Sequence, residues 1–193
     1  MRTGIRKVVL GLGISLDGYI ARPDGAVDFL SMPKKHSGPL GENYSMGPLF
    51  ATVDEAIMGR KTYEMGLKMG GGSLPRSNMA MYVFSRSQAP GERGGVTFVN
   101  GSPKSFVQKL QTRPGKNIWL MGGGELVREF LKEDLLDEFY IGVVPVLIGE
   151  GIPLFPSGFP QREFALLENK TYSKGMIALR YQRMRGNGRR KAK

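Results

Sequence analysis

Two short segments of this chain share a design that suits phosphate binding. Each is an apolar stretch that runs into glycine, with residues that favour a helix immediately afterwards. The segments are Ala56-Ile57-Met58-Gly59-Arg60-Lys61-Thr62-Tyr63-Glu64 and Ile118-Trp119-Leu120-Met121-Gly122-Gly123-Gly124-Glu125-Leu126-Val127. The first N–H groups of a helix have no partner within it and lie at the positive end of its dipole. Because glycine also lets an anion approach the backbone closely, both turns could bind phosphate.

Two such turns in one sheet predict a site for a ligand with two phosphate groups, such as the pyrophosphate of a dinucleotide. The alternative is that both are ordinary strand-to-helix connections. The sequence does not fit the common nucleotide motifs. Asp54 and Arg60 stand where a Walker A motif needs its first glycine and its lysine. Gly11-Leu12-Gly13 lies within a predicted strand, whereas a Rossmann fingerprint opens a helix.

Composition excludes several kinds of catalysis. The chain has no cysteine, which excludes disulfides, thiolate metal sites and cysteine nucleophiles. Its single histidine, His36, lies beside Lys34 and Lys35 in a predicted surface loop, and no second histidine is present to share a metal ion. A serine hydrolase is also not supported, because the sequence has no Gly-x-Ser-x-Gly elbow. We therefore predict neither a metal centre nor a nucleophile-based hydrolase.

The charge balance is strongly basic, with a formal net charge of +11. Part of this excess lies in residues 185–193, which we predict to be a solvated, disordered tail. Binding to nucleic acid is an alternative role, but no helix-turn-helix, zinc-finger or RNA-recognition signature supports it. No stretch approaches the roughly 18 apolar residues of a membrane span. The sequence thus predicts a cytoplasmic protein without a membrane partner or a dedicated nucleic-acid partner.

The elements that position the glycine turns follow from alternating strand and helix patterns. Strands are predicted at 8–14, 54–58, 79–84, 96–99, 117–121 and 139–148, the last with an edge or bulge at Pro145. Helices are predicted at 42–53, from Lys61 onward, from the Ser102-Pro103 start, and at 126–132. Residues 164–171 and 176–184 form a predicted hairpin. This order predicts one α/β domain over residues 1–184, with a mostly parallel sheet, helices on both faces and an antiparallel C-terminal hairpin.

Six motifs follow one another in an informative order. They are Ser15-Leu16-Asp17-Gly18-Tyr19-Ile20-Ala21, Met58-Gly59-Arg60-Lys61-Thr62-Tyr63-Glu64, Val83-Phe84-Ser85-Arg86, Met121-Gly122-Gly123-Gly124-Glu125-Leu126, Leu136-Asp137-Glu138-Phe139-Tyr140-Ile141 and Pro145-Val146-Leu147-Ile148-Gly149-Glu150-Gly151. Over residues 7–184 this order resembles the dihydrofolate reductase-like superfamily. The first and last motifs are most similar to the reductase domain of the bifunctional riboflavin-biosynthesis deaminase/reductase and to its stand-alone relatives.

This resemblance implies a three-layer fold and an NADPH-dependent reductase that delivers hydride to a ribosylaminopyrimidine phosphate. It assigns the cofactor phosphates to Gly59, Arg60, Lys61 and Thr62 on one side, and to Gly122, Gly123, Gly124, Glu125, Leu126 and Val127 on the other. Ser85 and Arg86 are placed at the 2′-phosphate, where arginine would favour NADPH over NADH. Ile14 and the Asp17-Gly18 turn would border the nicotinamide. The resemblance also implies a homodimer, with residues 139–154 or the terminal hairpin near the interface.

Substrate and proton donor stay open in this comparison. Riboflavin reductase domains usually have an acidic residue immediately before the second glycine motif, whereas Met121 stands there, as an apolar residue does in dihydrofolate reductases. The resemblance makes Asp17 and Glu42 the best-placed acids, with water as an alternative donor. The leading hypothesis is therefore a reductase of a small heterocyclic or phosphorylated substrate. The alternatives are a pterin reductase of the dihydrofolate reductase type, a nucleotide-binding protein without catalysis, and a nucleic-acid-associated protein.

Overall fold

A twisted array of strands flanked by four helices makes up this computed structural model, which describes residues 5–31, 45–74 and 78–185. The strands are β1 Val8–Ser15, β2 Tyr19–Ala21, β3 Val53–Gly59, β4 Ala80–Phe84, β5 Gly91–Arg93, β6 Val96–Val99, β7 Asn117–Gly122, β8 Glu138–Val144, β9 Ile152–Pro153, β10 Phe164–Thr171 and β11 Ile177–Arg183. The helices are α1 Gly47–Phe50, α2 Arg60–Met69, α3 Pro103–Gln111 and α4 Gly124–Lys132, with short 3-10 turns at Asp28–Leu30 and Ser173–Gly175.

Nine strands form the main sheet in the order β10-β11-β8-β1-β7-β3-β4-β6-β5. The inner pairs are parallel, from β8–β1 through β1–β7, β7–β3 and β3–β4 to β4–β6. Antiparallel pairs lie at both edges, where β10 and β11 extend the sheet beyond β8 and β5 pairs with β6. A separate small sheet joins β2 to β9. This arrangement confirms the predicted mixed sheet and its C-terminal hairpin.

Alternating side chains of the central strands pack against helices on opposite faces. Val8, Leu10 and Leu120 lie in a buried cluster with residues of α3 and α4. Their neighbours Val9 and Trp119 point to the other face, where they pack with Leu49 of α1. The next cluster on that face joins β3 and β4 to Tyr63 of α2. Because apolar residues point both ways, as expected for covered parallel strands, the prediction of helices on both faces is confirmed.

Three predicted elements need correction. The strand predicted for 139–148 spans Glu138–Val144, because Pro145 has no N–H to continue a ladder. This strand is an inner one, so Pro145 ends it instead of marking an edge or a bulge. The helix predicted for 42–53 is the short α1, Gly47–Phe50. Residues 17–41, which the sequence pattern predicts to be a long loop without regular elements, contain β2 and a 3-10 turn.

Several features of the sequence fall outside the described residues. They are His36, the candidate acid Glu42 and the tail from residue 186 onward. Within the described ranges, no helix has both the length and the apolar character that a bilayer span requires. The same ranges contain no group of three or more acidic or histidine side chains arranged to hold a metal ion.

Candidate cofactor site

The two glycine turns lie side by side at one edge of the sheet. β3 and β7 are parallel neighbours, and their register places Met58 beside Gly122. A methyl group added at Gly59 would lie 3.9 Å from both the Gly122 carbonyl oxygen and the Gly123 nitrogen. One added at Gly123 would lie 3.3 Å from Thr62 Oγ1. The two turns are thus in direct contact, and the first residues of α2 and α4 lie next to each other.

Neither helix start is capped by a side chain. The N-cap positions are Gly59 in α2 and Gly123 in α4, both with extended backbone and no side-chain cap hydrogen bond. By contrast, α3 begins at Ser102, whose hydroxyl oxygen accepts a hydrogen bond from the Ser105 N–H. The first turns of α2 and α4 therefore present backbone N–H groups to an incoming anion from two directions.

Within the second turn the glycines have different tasks. Gly122 adopts φ +110°, a region that favours glycine, and its peptide bond with Gly123 is cis. Gly124 is buried, and a methyl group there would lie 2.4 Å from the Pro153 carbonyl oxygen, so packing alone requires glycine. Val127 has a fully buried side chain, and its N–H donates to the Gly123 carbonyl at 3.0 Å. Val127 thus anchors α4 in the core, while Glu125 and Leu126 lie in the first turn.

Three cations surround the paired turns. Arg60 forms an ion pair with Glu64 one helical turn away, an exposed contact worth only about 0.3–0.5 kcal/mol. Lys61 is exposed and forms no ion pair with any described residue. Arg86 is likewise exposed and unpaired among the described residues, and it follows β4, in which Phe84 lies beside Gly59. All three side chains can therefore turn towards a phosphate at little cost.

Ser85 directly follows β4, at the strand end where the sequence predicted it, and its side chain is held by the loop that it begins. It is 6% exposed, and its hydroxyl oxygen accepts hydrogen bonds from the N–H groups of Gln88, at 3.0 Å, and Ser87, at 3.3 Å. Its own N–H donates to the Val99 carbonyl of the neighbouring strand segment. Ser85 thus shapes the loop that carries Arg86, and the nearest side-chain partner for its own O–H is the Ser87 hydroxyl at 3.5 Å.

A gap opens in the sheet between β1 and β7. Their ladder ends at Leu10 and Leu120, whereas β1 continues beside β8 as far as Ser15. The Trp119 indole N–H donates to the Gly11 carbonyl at 2.7 Å, in place of a further backbone hydrogen bond from β7. A buried indole N–H needs such a partner, and this hydrogen bond ties the Trp119 ring to β1 next to the point where the β1–β7 ladder ends.

Next to this gap, β7 and β3 are the neighbouring strands whose connections diverge, since β3 leads to β4 on one side and β7 leads to β8 on the other. Open α/β sheets bind ligands at such points, outside the carboxyl ends of the strands. Ile14 and Gly18 are partly buried on the β1 side of the gap. Gly18 adopts φ +86°, and a methyl group there would meet nothing within 4 Å, so this turn leaves open space beside the strand.

Asp17 is engaged by the protein itself. Its carboxylate accepts hydrogen bonds from the Ser15 hydroxyl at 2.6 Å, the Gly149 N–H at 2.8 Å and the Ile148 N–H at 3.1 Å. The Ser15 hydroxyl is the largest influence on the pKa of Asp17; together with the two N–H groups it outweighs desolvation and lowers that pKa below its ordinary value. A carboxyl held in its ionised form at neutral pH has no proton to donate. These contacts therefore support a positioning role for Asp17 more than the acid role predicted from the sequence.

An apolar wall borders the gap on the α1 side. The exposed edge of this wall is Phe50, whose ring centroid lies 5.1 Å from that of Trp119. Met121 is partly buried and packs against the clusters around Trp119 and Tyr63. The residue before the second glycine motif therefore supplies an apolar surface where a carboxylate would supply charge. No sequence pattern identified Trp119 as part of the site, although it is the chain's single tryptophan.

The architecture is that of the dihydrofolate reductase-like class. Dihydrofolate reductase from Enterococcus faecalis, solved in complex with NADP(H), matches with a TM-score of 0.59 over 92% of this chain and 96% of that one. At 14% identity this likeness shows the fold alone. A family model described as the RibD C-terminal domain matches residues 6–178, and the chain belongs to this family.

Relatives of the chain agree with this assignment. The uncharacterized protein YwjB of Bacillus subtilis is 39% identical over 178 residues, which are 92% of this chain and 98% of that protein. A candidate riboflavin biosynthesis protein from Shewanella sp. PV-4 is 29% identical, with a TM-score of 0.77 over 93% of this chain and 99% of that one. The deaminase/5-amino-6-(5-phosphoribosylamino)uracil reductase of Thermotoga maritima is 17% identical with a TM-score of 0.66, and this chain matches 57% of its length.

Proposed function

We propose that this protein is an NADPH-dependent reductase of the riboflavin-biosynthesis type, acting on a small heterocyclic or phosphorylated substrate. The proposal depends mainly on the contact between two helix starts that no side chain caps. A methyl group added at Gly59 would lie 3.9 Å from the Gly122–Gly123 peptide. Two converging sets of backbone N–H groups match the two phosphates of a dinucleotide. Membership of the RibD C-terminal family supports reductase chemistry at this site.

In this proposal different residues of the site bind different parts of the cofactor. The first turns of α2 and α4 bind the pyrophosphate, through the N–H groups of Lys61, Thr62, Glu125 and Leu126. Arg60 and Lys61 add positive charge, and Arg86 binds the 2′-phosphate by charge-assisted hydrogen bonds. Ile14 and Gly18 border the nicotinamide, which supplies hydride when NADPH is bound. Glu42 or water delivers the proton, because Asp17 is held ionised by its three donors.

The apolar character of Met121 favours a second candidate substrate. A phosphorylated ribosylaminopyrimidine carries charge, whereas Met121 and the neighbouring Phe50 and Trp119 offer apolar and aromatic contacts. Such a wall suits the face of an uncharged ring, as in a pterin. Dihydrofolate is therefore the second substrate to be tested.

We also propose that the protein assembles as a homodimer through an open face of its sheet, formed by Val143, Leu166, Ile177, Leu179 and Tyr181. Cross-strand neighbours on this face run from Leu10 through Phe139 and Tyr181 to Leu166. Exposure rises along that row, from 0% at Leu10 to 8% at Phe139 and 50% at Leu166. The two rows beside it end in Asn169 and Thr171 and contain no charged side chain. A partner with the same uncharged face would cover these apolar residues without opposing the net charge of +11.

The decisive experiment is a binding and turnover comparison with the purified protein. Isothermal titration with NADPH, NADH and a duplex oligonucleotide should show preference for NADPH. Steady-state NADPH oxidation should then proceed with the ribosylaminopyrimidine phosphate or with dihydrofolate. Binding without oxidation of either would contradict both substrates and leave a nucleotide-binding protein. Tighter binding to the duplex than to NADPH, with a steep salt dependence, would instead support a nucleic-acid role.

A further inference from the structure

One segment touches both ends of the proposed cofactor site. We call residues 145–156 the strap. At its start, the Val146 carbonyl accepts a hydrogen bond from the Leu16 N–H at 2.8 Å. Near its end, the Leu154 N–H donates to the Gly18 carbonyl at 3.0 Å. Between these contacts β9 pairs with β2, so the strap follows the turn after β1 along most of its length.

The far side of the strap rests on the second glycine turn. The Pro153 carbonyl oxygen lies so close to Gly124 that an added methyl group would approach it to 2.4 Å, and the Pro156 ring to 3.1 Å. Gly151 is equally tight against the Ala21 carbonyl, at 2.3 Å from an added methyl group. These contacts pack the strap directly against the start of α4 and against β2, so a displacement of the strap changes the packing around the second glycine turn.

The near side of the strap is held by one carboxylate. Asp17 accepts the N–H groups of both Ile148 and Gly149, and the Ser15 hydroxyl donates to the same carboxylate. Ser15 is fully buried, and its oxygen also accepts the Tyr19 N–H at 3.0 Å, which fixes the direction of its donation. Charge-assisted hydrogen bonds of this kind are roughly twice as strong as neutral ones. The contact between the turn and the strap thus depends on the charge of Asp17.

We infer that Asp17 is a positioning residue: its carboxylate fixes the strap, and through the strap it fixes the glycine turn that binds the cofactor pyrophosphate. The inference rests on the proposed function for its effect on NADPH, but not for the contact itself. It differs from an acid role in a measurable way. An acid that donates a proton affects turnover and leaves cofactor affinity unchanged, whereas a positioning residue changes the affinity first.

The first test needs no cofactor. Amide hydrogen exchange is followed by NMR in wild type, Asp17→Asn and Asp17→Ala. Exchange of the Ile148 and Gly149 amides should rise by about tenfold or more in Asp17→Ala, with a smaller rise in Asp17→Asn, because asparagine keeps one oxygen that can accept. Asp24→Asn is the matched control, since among the described residues Asp24 accepts a hydrogen bond only from the Ala26 N–H, within its own turn. Unchanged protection of Ile148 and Gly149 in Asp17→Ala would overturn the inference.

The second test measures NADPH affinity and turnover on the same variants. The dissociation constant for NADPH should rise by about 10-fold to 100-fold in Asp17→Ala, as small displacements at a distance from the chemistry can do, and by less in Asp17→Asn. Unchanged affinity with equal losses of turnover in both variants would identify Asp17 as the proton donor and refute the positioning role. If wild type itself does not bind NADPH, the proposed function fails, while the exchange experiment still decides whether Asp17 holds the strap.

Discussion

Arg86 is the residue on which cofactor choice depends in our proposal. It is exposed, forms no ion pair with the described residues, and lies beyond β4 on the same edge of the sheet as the paired turns. Ser85 and the backbone of Ser87 and Gln88 close the loop behind it, so the guanidinium extends from a fixed base. The nucleotide phosphate that distinguishes NADPH from NADH is the natural partner for such a free cation.

Replacing Arg86 with alanine should therefore weaken NADPH binding by about 1–3 kcal/mol, the range for hydrogen bonds to charged groups. Binding of NADH should hardly change. Isothermal titration with both cofactors measures the difference, and Lys104→Ala, which removes an exposed charge on α3, serves as the control. Equal losses for NADPH and NADH would show that Arg86 contacts another part of the cofactor.

Gly123 tests the paired turns themselves. Its backbone has φ −69° and ψ 173°, which any residue can adopt, so the backbone conformation does not require glycine there. Gly123→Val should nevertheless abolish NADPH binding and turnover, because its Cβ would lie 3.3 Å from Thr62 Oγ1 and its methyl groups would fill the space between the turns. Thermal unfolding should stay close to that of wild type. Full NADPH affinity in this variant would place the cofactor elsewhere.

Residue types alone predicted the site unevenly. Glycine followed by helix formers is a local signal, so the sequence predicted a helix after each glycine turn. It began the second helix at Leu126, whereas α4 begins at Gly124. The contacts of Asp17 could not be predicted, because the N–H groups from which it accepts hydrogen bonds belong to residues more than a hundred positions later. Trp119 escaped prediction for a similar reason, since only the fold places its indole beside the Gly11 carbonyl.

At the scale of elements, one buried carboxylate joins three strands of the main sheet. Glu138, at the start of β8, is 4% exposed. Lys7, just before β1, contacts it at 2.6 Å, and Arg180 of β11 at 3.0 Å. Burial works against the ionised form, but the hydrogen bonds from Lys7 and Arg180 outweigh it and lower the pKa of Glu138 below its ordinary value.

Glu138→Gln should accordingly destabilise the protein by about 1–3 kcal/mol at pH 7, where the wild-type carboxylate is ionised in both states. The folded state holds the lower pKa, so this stability is present above the ordinary value of 4.5 and is lost as the pH falls through the folded pKa. Urea unfolding at pH 7 and in acid should show the two proteins converging at low pH. Glu92→Gln, on the exposed strand β5, is the control; a difference that does not depend on pH would exclude this ionic origin.

Element types were more predictable than their ends. The Ser102-Pro103 helix start and the strand Val96–Val99 follow the sequence pattern closely, because cap chemistry and alternation are local. The apolar run after Val144 continues through Val146 and Ile148, so hydrophobicity alone extended β8 too far. Pro145 and the hydrogen bonds of the strap, which are tertiary, end the strand there. Strand β5 has no apolar pattern and exists through its pairing with β6.

At the scale of the whole molecule, the two halves of the sheet differ in how they are covered. Helices cover both faces around β1, β7 and β3, whereas the open face of β8, β11 and β10 carries partly exposed apolar side chains. A monomer with a net charge of +11 gains solubility from that charge, yet it leaves this uncharged face in water. A symmetric contact between two copies would remove these apolar side chains from water, while the charged surface of each copy stays solvated.

Ile177→Lys should convert the proposed homodimer into a monomer. Ile177 is 40% exposed on the open face, and the two-fold axis of a symmetric dimer would bring two added lysines into one apolar contact. Light scattering at micromolar concentration measures the change. Met69→Lys adds the same charge at a 68% exposed position at the end of α2 and should leave the assembly unchanged. A wild-type protein that is already monomeric would contradict the dimer.

The indole that hydrogen-bonds from β7 to β1 also gives the molecule an intrinsic fluorescent reporter. Trp119 is the chain's single tryptophan, and it is 9% exposed beside the gap where the nicotinamide is proposed to lie. Reduced nicotinamide absorbs in the near ultraviolet where tryptophan emits, so energy passes from an excited indole to a nearby cofactor. All tryptophan emission of this protein comes from that one ring. Quenching of its emission would therefore follow cofactor arrival in real time, without a label and without a substrate.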